Sequence, residues 1–207
     1  LAKGQCAVEP FLSIDGQTLS WAESQTSQRL ANEYIPVPSV ERIHDRVKLT
    51  VTAFVDGAAG DGGLHVCYEV TPTTAAPVSG SILLTVRPFQ ILPPWHELNL
   101  EGGVTPIAVL SRDGDDLLVN GSRRIATHLK PARISAAPFD TAPTIAVTAL
   151  PDMHPGQEVR DPGGVASAVI EYPFNLEPGK AARFWISAPF KGSVRPARLD
   201  FKGRDPD

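Results

Sequence analysis

The chain has 207 residues, 42% of them hydrophobic, and a formal net charge of −4 from 19 basic and 23 acidic side chains. That length suits one large domain or two small ones, with enough apolar material for a core. The near-balanced charge makes no electrostatic case for nucleic acid or an anionic membrane surface, and no apolar run reaches the roughly 18 residues of a membrane span.

Twenty prolines and seventeen glycines punctuate the chain, and no long charged amphipathic helix is visible. That composition predicts many short strands. Phe11-Leu12-Ser13-Ile14 runs into Asp15-Gly16 and then Gln17 to Trp21. Asp-Gly between two such runs predicts a type I′ hairpin, because both turn residues need positive φ. Residues 22 to 34 are polar and fit either a short helix or an extended edge. Tyr34 to Glu41 carries Pro36 and Pro38 and must be extended, since residues before proline avoid the helical region.

Three long strands are predicted next. In Arg46 to Val55, Val47, Leu49, Val51, Ala53 and Val55 share one face and Lys48, Thr50 and Thr52 the other. Period two over ten residues marks a half-buried strand. Leu64 to Thr71 is the return strand, with His65, Cys67 and Glu69 on its second face. Ser81 to Phe89 is the third, and the three together predict an antiparallel meander with one wet face.

That third strand ends in Arg87-Pro88-Phe89-Gln90-Ile91-Leu92-Pro93-Pro94, closed by Trp95-His96. Proline fixes φ and removes the backbone donor, so Pro93-Pro94 cannot continue a central strand. The segment holds an aromatic and several polar side chains at the end of a sheet, which suits a binding surface or a domain junction. Beyond it, Asp113-Gly114 and Asn120-Gly121 flank Leu117-Leu118-Val119, predicting two hairpins, and Arg123 to Leu129 closes the set. Lys130 to Gly164 is Pro-rich and weakly periodic, a long excursion with one turn of helix at most; such loops are often functional. Val165 to Tyr172 and Lys180 to Phe190 predict a last hairpin around Glu177-Pro178-Gly179. The count of ten to thirteen strands exceeds a seven-strand immunoglobulin unit and predicts an all-β fold, a large two-sheet antiparallel β-sandwich. Residues 1–195 read as one domain and residues 196–207 as a linker or tail, so the chain reads as a piece of a longer polypeptide.

No catalytic set emerges. There is no G-x-S-x-G, no H-E-x-x-H and no phosphate-binding glycine pattern, and the five histidines (His44, His65, His96, His128 and His154) are scattered. No metal, cofactor or catalytic residue is therefore assigned. Cys6 and Cys67 lack CxxC spacing; they are free thiols or, in an exported protein, one disulfide. Glu97 and Glu101 beside the Pro-Pro-Trp loop, and Asp113, Asp115 and Asp116 at a hairpin turn, are the carboxylates that glycosidic acid/base chemistry would need; the turn group is expected for local hydrogen bonding. His65 and Glu69 share a strand face but lie about 13 Å apart at strand rise, too far to act directly as a pair. Trp95 has three readings: stacking on a sugar ring, packing on a neighbouring domain, or folding back into its own core. Arg87 reads first as a structural fork that orders the turn. Trp21 and Trp185 lie in strand patterns and read as core. The candidate ligand-binding or interface residues are Arg87, Gln90, Trp95, His96 and Glu97.

Tyr34 to Glu41, the strand Val47 to Phe54, Pro77-Val78-Ser79-Gly80 and above all Arg87-Pro88-Phe89-Gln90…Pro93-Pro94-Trp95 resemble the β-sandwich region of large bacterial glycoside-hydrolase-like proteins that carry discoidin (coagulation factor 5/8 type C) domains. The resemblance covers about residues 10 to 190 and rests on that one distinctive motif. It implies a super-sandwich similar to galactose-mutarotase-like domains, preceding an α/α-toroid that would hold the catalytic carboxylates. It also implies an extracellular or periplasmic setting. The expectation is a non-catalytic module of a carbohydrate-active protein, with carbohydrate or an adjacent domain of the same chain as partner and neither nucleic acid nor membrane. The alternatives are an autonomous glycan-binding module and a mutarotase- or epimerase-like enzyme.

Overall fold

A computed structural model describes residues 6–57, 62–90, 103–142 and 148–191. Sixteen strands and a single 3-10 turn form there, and no α-helix does. β1 (Ala7–Ile14) and β2 (Gln17–Leu19) make the expected hairpin, with Leu12 opposite Leu19. Its turn residues Asp15 and Gly16 have φ of 51° and 77°. Gly16 has nothing within 4 Å of where a Cβ would stand, so backbone conformation, not crowding, selects it. After the turn at Trp21–Glu23 come β3 (Gln25–Ala31), β4 (Ile35–Ile43), β5 (Val47–Asp56) and β6 (Gly63–Pro72), paired antiparallel in chain order. Residues 22 to 34 thus divide between that turn and an extended edge strand.

The next strand departs from the predicted meander. β7 (Val78–Arg87) pairs with β1 and with β15 (Ser167–Leu176), in the opposite sheet from β6. Its composition explains the choice. Val78, Ile82, Leu84 and Val86 belong to the central core, while Leu83 on the reverse face belongs to a second apolar cluster. Leu83, Thr85 and Arg87 on the reverse face are buried as well, so the strand needs cover on both sides, which an outer meander position with one wet face would not give.

The remaining strands are β8 (Phe89–Gln90), β9 (Gly103–Val104), β10 (Val109–Asp113), β11 (Asp116–Val119), β12 (Arg123–Thr127), β13 (Arg133–Ala137), β14 (Glu158–Arg160) and β16 (Ala182–Pro189). One sheet has five strands in the order β13-β15-β7-β1-β2, and the other has nine in the order β14-β10-β11-β12-β16-β6-β5-β4-β3. β8 and β9 form a separate two-stranded ribbon. The architecture is an antiparallel two-sheet sandwich, as the sequence predicts.

β15 and β16 do not form the expected hairpin. The turn at Glu177-Pro178-Gly179 is present, with Lys180 N–H donating to the Glu177 carbonyl at 3.0 Å and Gly179 at φ 73°. The flanking strands, however, enter different sheets: β15 joins β7 and β13, and β16 joins β6 and β12. Tyr172 and Phe184 then meet across the interior, rings stacked at 5.2 Å, and tie the two layers together. Such a ring pair adds about 1 kcal/mol beyond the area it buries.

The excursion after β12 contains no helix among its described residues. It forms β13 and then lays Ala142 and Leu150 over Phe11, Leu83 and Val169 on the outer face of the five-stranded sheet. Residues 151–153 track β13, with Ala136 N–H donating to the Pro151 carbonyl at 3.0 Å and Met153 N–H to the Ile134 carbonyl at 2.8 Å. The buried Asp161 carboxylate accepts from Phe139 N–H and Gly163 N–H, both at 2.8 Å. The chain then reaches the far edge of the large sheet as β14, against β10.

Candidate functional site

Of the sequence-predicted residues, Arg87 is described most fully. It ends β7 opposite Ala7. Its guanidinium lies 4.9 Å from the centre of the Phe11 ring, and Nη1 donates to Glu9 Oε2 at 3.1 Å. Burial lowers its pKa, with Glu9 opposing. Nε is buried and has no hydrogen-bond partner among the described residues. The fork therefore grips the neighbouring strand β1. Gln90 stands in β8 opposite Gly103. Trp95, His96, Glu97 and Glu101 lie outside the described residues, as do residues 196–207.

The carboxylates of the β10–β11 turn hold structure together. Asp116, 2% exposed, accepts from Thr127 N–H at 2.9 Å and from Arg124 Nη1 at 2.8 Å, and Arg124 Nη2 donates to Asp113 at 2.7 Å. Among the described residues no group of three or more His, Cys, Asp or Glu side chains could hold a metal ion.

Sequence reasoning missed a cluster on the outer face of the large sheet. Register places Phe54, His65 and Ser187 in one row across β5, β6 and β16, and Thr52, Cys67 and Trp185 in the next. His128, just past β12, adds its backbone N–H to the Trp185 carbonyl at 3.2 Å. The Ser187 hydroxyl then stands between two imidazoles, 2.6 Å from His65 Nδ1 and 2.7 Å from His128 Nε2. A hydroxyl has one proton to give, so in the neutral cluster one ring nitrogen donates and the other accepts. The Phe54 ring stacks on His65 at 5.3 Å and meets Trp185 edge-on at 6.1 Å. Burial pushes the His65 imidazole below its usual pKa against a smaller pull from Asp56. Further along the same face Arg183 pairs with Glu69. His65 and Ser187 are buried, whereas Phe54, stacked on His65, and Trp185 are half-buried on the same face. No local signal could have found the cluster, because Ser187 follows His65 by 122 residues.

Both thiols are free. Cys6 belongs to the core between the sheets, while Cys67 sits on the outer face of the large sheet, so that sheet separates them. Burial pushes Cys6 up to about 11 and Cys67 up to about 12. Trp21 is not core: it lies in the 3-10 turn and is 60% exposed. The sequence around it alternates like a strand, but the Ser20 side chain caps that turn with Glu23 and the chain leaves the hairpin.

A cavity of about 240 Å³ opens between the large sheet and β1. Its floor is made by inward-facing residues of β5, β6 and β16, and its wall by Val8 and Pro10.

No family model matches this sequence, and no curated protein does. Among solved structures, one described as "Putative kojibiose phosphorylase from human microbiome" matches with a TM-score of 0.45 at 8% identity, over 87% of this chain and 21% of that one. This chain thus spans about a fifth of that protein's length. A likeness of this grade carries no statement about activity.

Proposed function

We propose that the chain is a non-catalytic β-sandwich module of a larger carbohydrate-active protein, docking on an adjacent domain of the same polypeptide. The observation that carries the docking is the β3–β4 hairpin. β3 is an edge strand with every residue from Gln25 to Leu30 exposed, and large apolar side chains stand at its two ends. Trp21 is 60% and Ile43 40% exposed at one end, Tyr34 79% and Leu30 43% at the other. An uncovered edge flanked by apolar side chains favours contact with another surface. The carbohydrate part of the reading rests on the sequence resemblance around Arg87 to Trp95, and the same corner is proposed as a second contact with the neighbouring domain. The test is thermal unfolding of the parent polypeptide. Docked domains should melt together, and Trp21→Ser with Tyr34→Ser should separate the transitions. Unchanged, coincident melting would rule out docking through this edge, and unchanged docking and activity after Trp95→Ala would do the same for the corner.

A second reading, an autonomous glycan-binding module, is favoured by one observation, the half-buried Phe54–Trp185 pair beside Thr52, His65 and Ser187 on the outer sheet face. Aromatic faces beside hydroxyl and imidazole groups suit flat hydroxylated ligands. It predicts saturable binding of an oligosaccharide to the isolated chain that Trp185→Ala abolishes. A glycan array with no binder at millimolar levels would remove it.

A further inference from the structure

The two layers differ in width, nine strands against five, and the shortfall has a local consequence. Near the ends of β5, β6 and β16 the inward side of the large sheet runs past the small one. Ala53, Val66, Ile186 and Ala188 face inward there and line the 240 Å³ cavity. Two of these are alanines at strand positions where a β-branched residue would fill the space, and that is why room is left. On the opposite side, among the described residues, Val8 and Pro10 of β1 stand against them.

One polar group belongs to the lining. Tyr68 is 2% exposed, and its hydroxyl makes no hydrogen bond to any described residue. Burial raises its pKa, so the phenol stays protonated and is available as a donor. A bound molecule with an acceptor oxygen would supply the partner that this donor lacks among the described residues. The neighbouring Arg42 is already engaged, donating to the Pro10 carbonyl at 3.3 Å at the edge of the same wall.

We propose that this cavity is a binding site for a small, mainly apolar molecule carrying one acceptor oxygen, such as a carbonyl or ether, held by Tyr68. Size sets the class. A cavity of about 150 Å³ lined by aliphatic and aromatic side chains takes benzene, so 240 Å³ accommodates a molecule of roughly ten non-hydrogen atoms. The lining excludes sugars, because its floor and wall offer no further side-chain donor or acceptor to satisfy several hydroxyls. The site is separate from both the β3 edge and the Phe54–Trp185 face, so its test stands apart from theirs.

The experiment uses the full chain, methyl-labelled, titrated by NMR with acetophenone and with its near-isostere isopropylbenzene, which lacks the acceptor. Saturable shifts are expected at Val8, Val66 and Ile186 for both probes. Tyr68→Phe should weaken acetophenone about fivefold, the worth of one net hydrogen bond, and leave isopropylbenzene unchanged. Ala188→Leu, or Ala53→Val if the first disturbs the melting curve, should reduce binding of both at least tenfold. The absence of saturable shifts, shifts unaffected by either filling variant, or equal loss of both probes in Tyr68→Phe would each overturn the proposal.

Discussion

Replacing Ser187 by alanine removes one oxygen from a site that is 1% exposed, and its cost can be worked from the partners left behind. Two hydrogen bonds disappear, one to His65 and one to His128. His65 is 4% exposed, so its stranded ring nitrogen does not readily recover a water. His128 is half-buried and regains solvent more easily. The net expectation is a loss of about 2 kcal/mol, with most of it from the His65 side. Urea denaturation followed by tryptophan fluorescence would read this as a lower midpoint at constant slope. A second pair of variants isolates the interaction. His65→Phe keeps the ring stacked on Phe54 and removes the nitrogen. In the His65→Phe background, Ser187→Ala should cost about 1 kcal/mol less than in the wild type, since both polar partners are then gone together. A Ser187→Ala variant within about 0.3 kcal/mol of wild type, or strictly additive effects, would show that the hydroxyl does not bridge the imidazoles.

Asp116→Ala should destabilise by about 3 kcal/mol, because it strands a buried backbone N–H and half of the Arg124 fork, and calorimetry would show the loss. Burial lowers the pKa of both His44 and His65 from the ordinary value of 6.5. Their contribution to stability is therefore full above that value. It is lost as pH falls through the lower folded values, because the unfolded chain takes up protons that the folded one resists. Denaturation midpoints measured between about pH 8 and pH 5 should fall on the acid side, and less so in His65→Phe. Cys6 and Cys67, with raised pKa values and buried sulfurs, should resist a thiol reagent at about pH 8 in the native state and both react after unfolding; mass spectrometry of the native protein showing rapid labelling of either would contradict their placement. Gly80→Ala should prevent normal pairing of β7, since its Cβ would stand 2.4 Å from the Ser13 carbonyl oxygen, and loss of cooperative melting would report it.

Much of the local structure was legible from residue order. The alternation in Val47 to Ala53 named the inward face of β5, although Val55 beyond it is 59% exposed and Thr50 on the other face is buried, and Asp15-Gly16 and Asn120-Gly121 named their turns through the positive φ they adopt. What alternation cannot state is which sheet a strand joins. Ser81 to Val86 reads as the third strand of a meander, yet Ile82, Leu84 and Val86 face the core, Leu83 is covered on the reverse side, and the strand stands at the centre of the other layer. Glu177-Pro178-Gly179 correctly announced a reversal but held nothing about whether the reversal stayed within one sheet. The excursion from Lys130 looked structureless because its apolar residues, Ala142 and Leu150, are too sparse to show a period, yet they seal one face of the small sheet. For the candidate residues the limit is the same. Arg87 finds Glu9 from 78 positions earlier, and the His65–Ser187–His128 cluster is assembled by long-range pairing alone.

The contrast between β7 and β3 has a dynamic consequence. β7 has a strand on each edge and apolar cover above and below, whereas β3 has one strand beside it and solvent on its other sides. Amide protons of Ile82 to Val86 should exchange with deuterium only through global unfolding, while those of Gln25 to Ala31 should exchange through local fraying at far lower free energy. The molecule is thus stiff at its narrow layer and yielding at one margin of its wide one, and a surface that meets that margin would restrain the fraying as it binds.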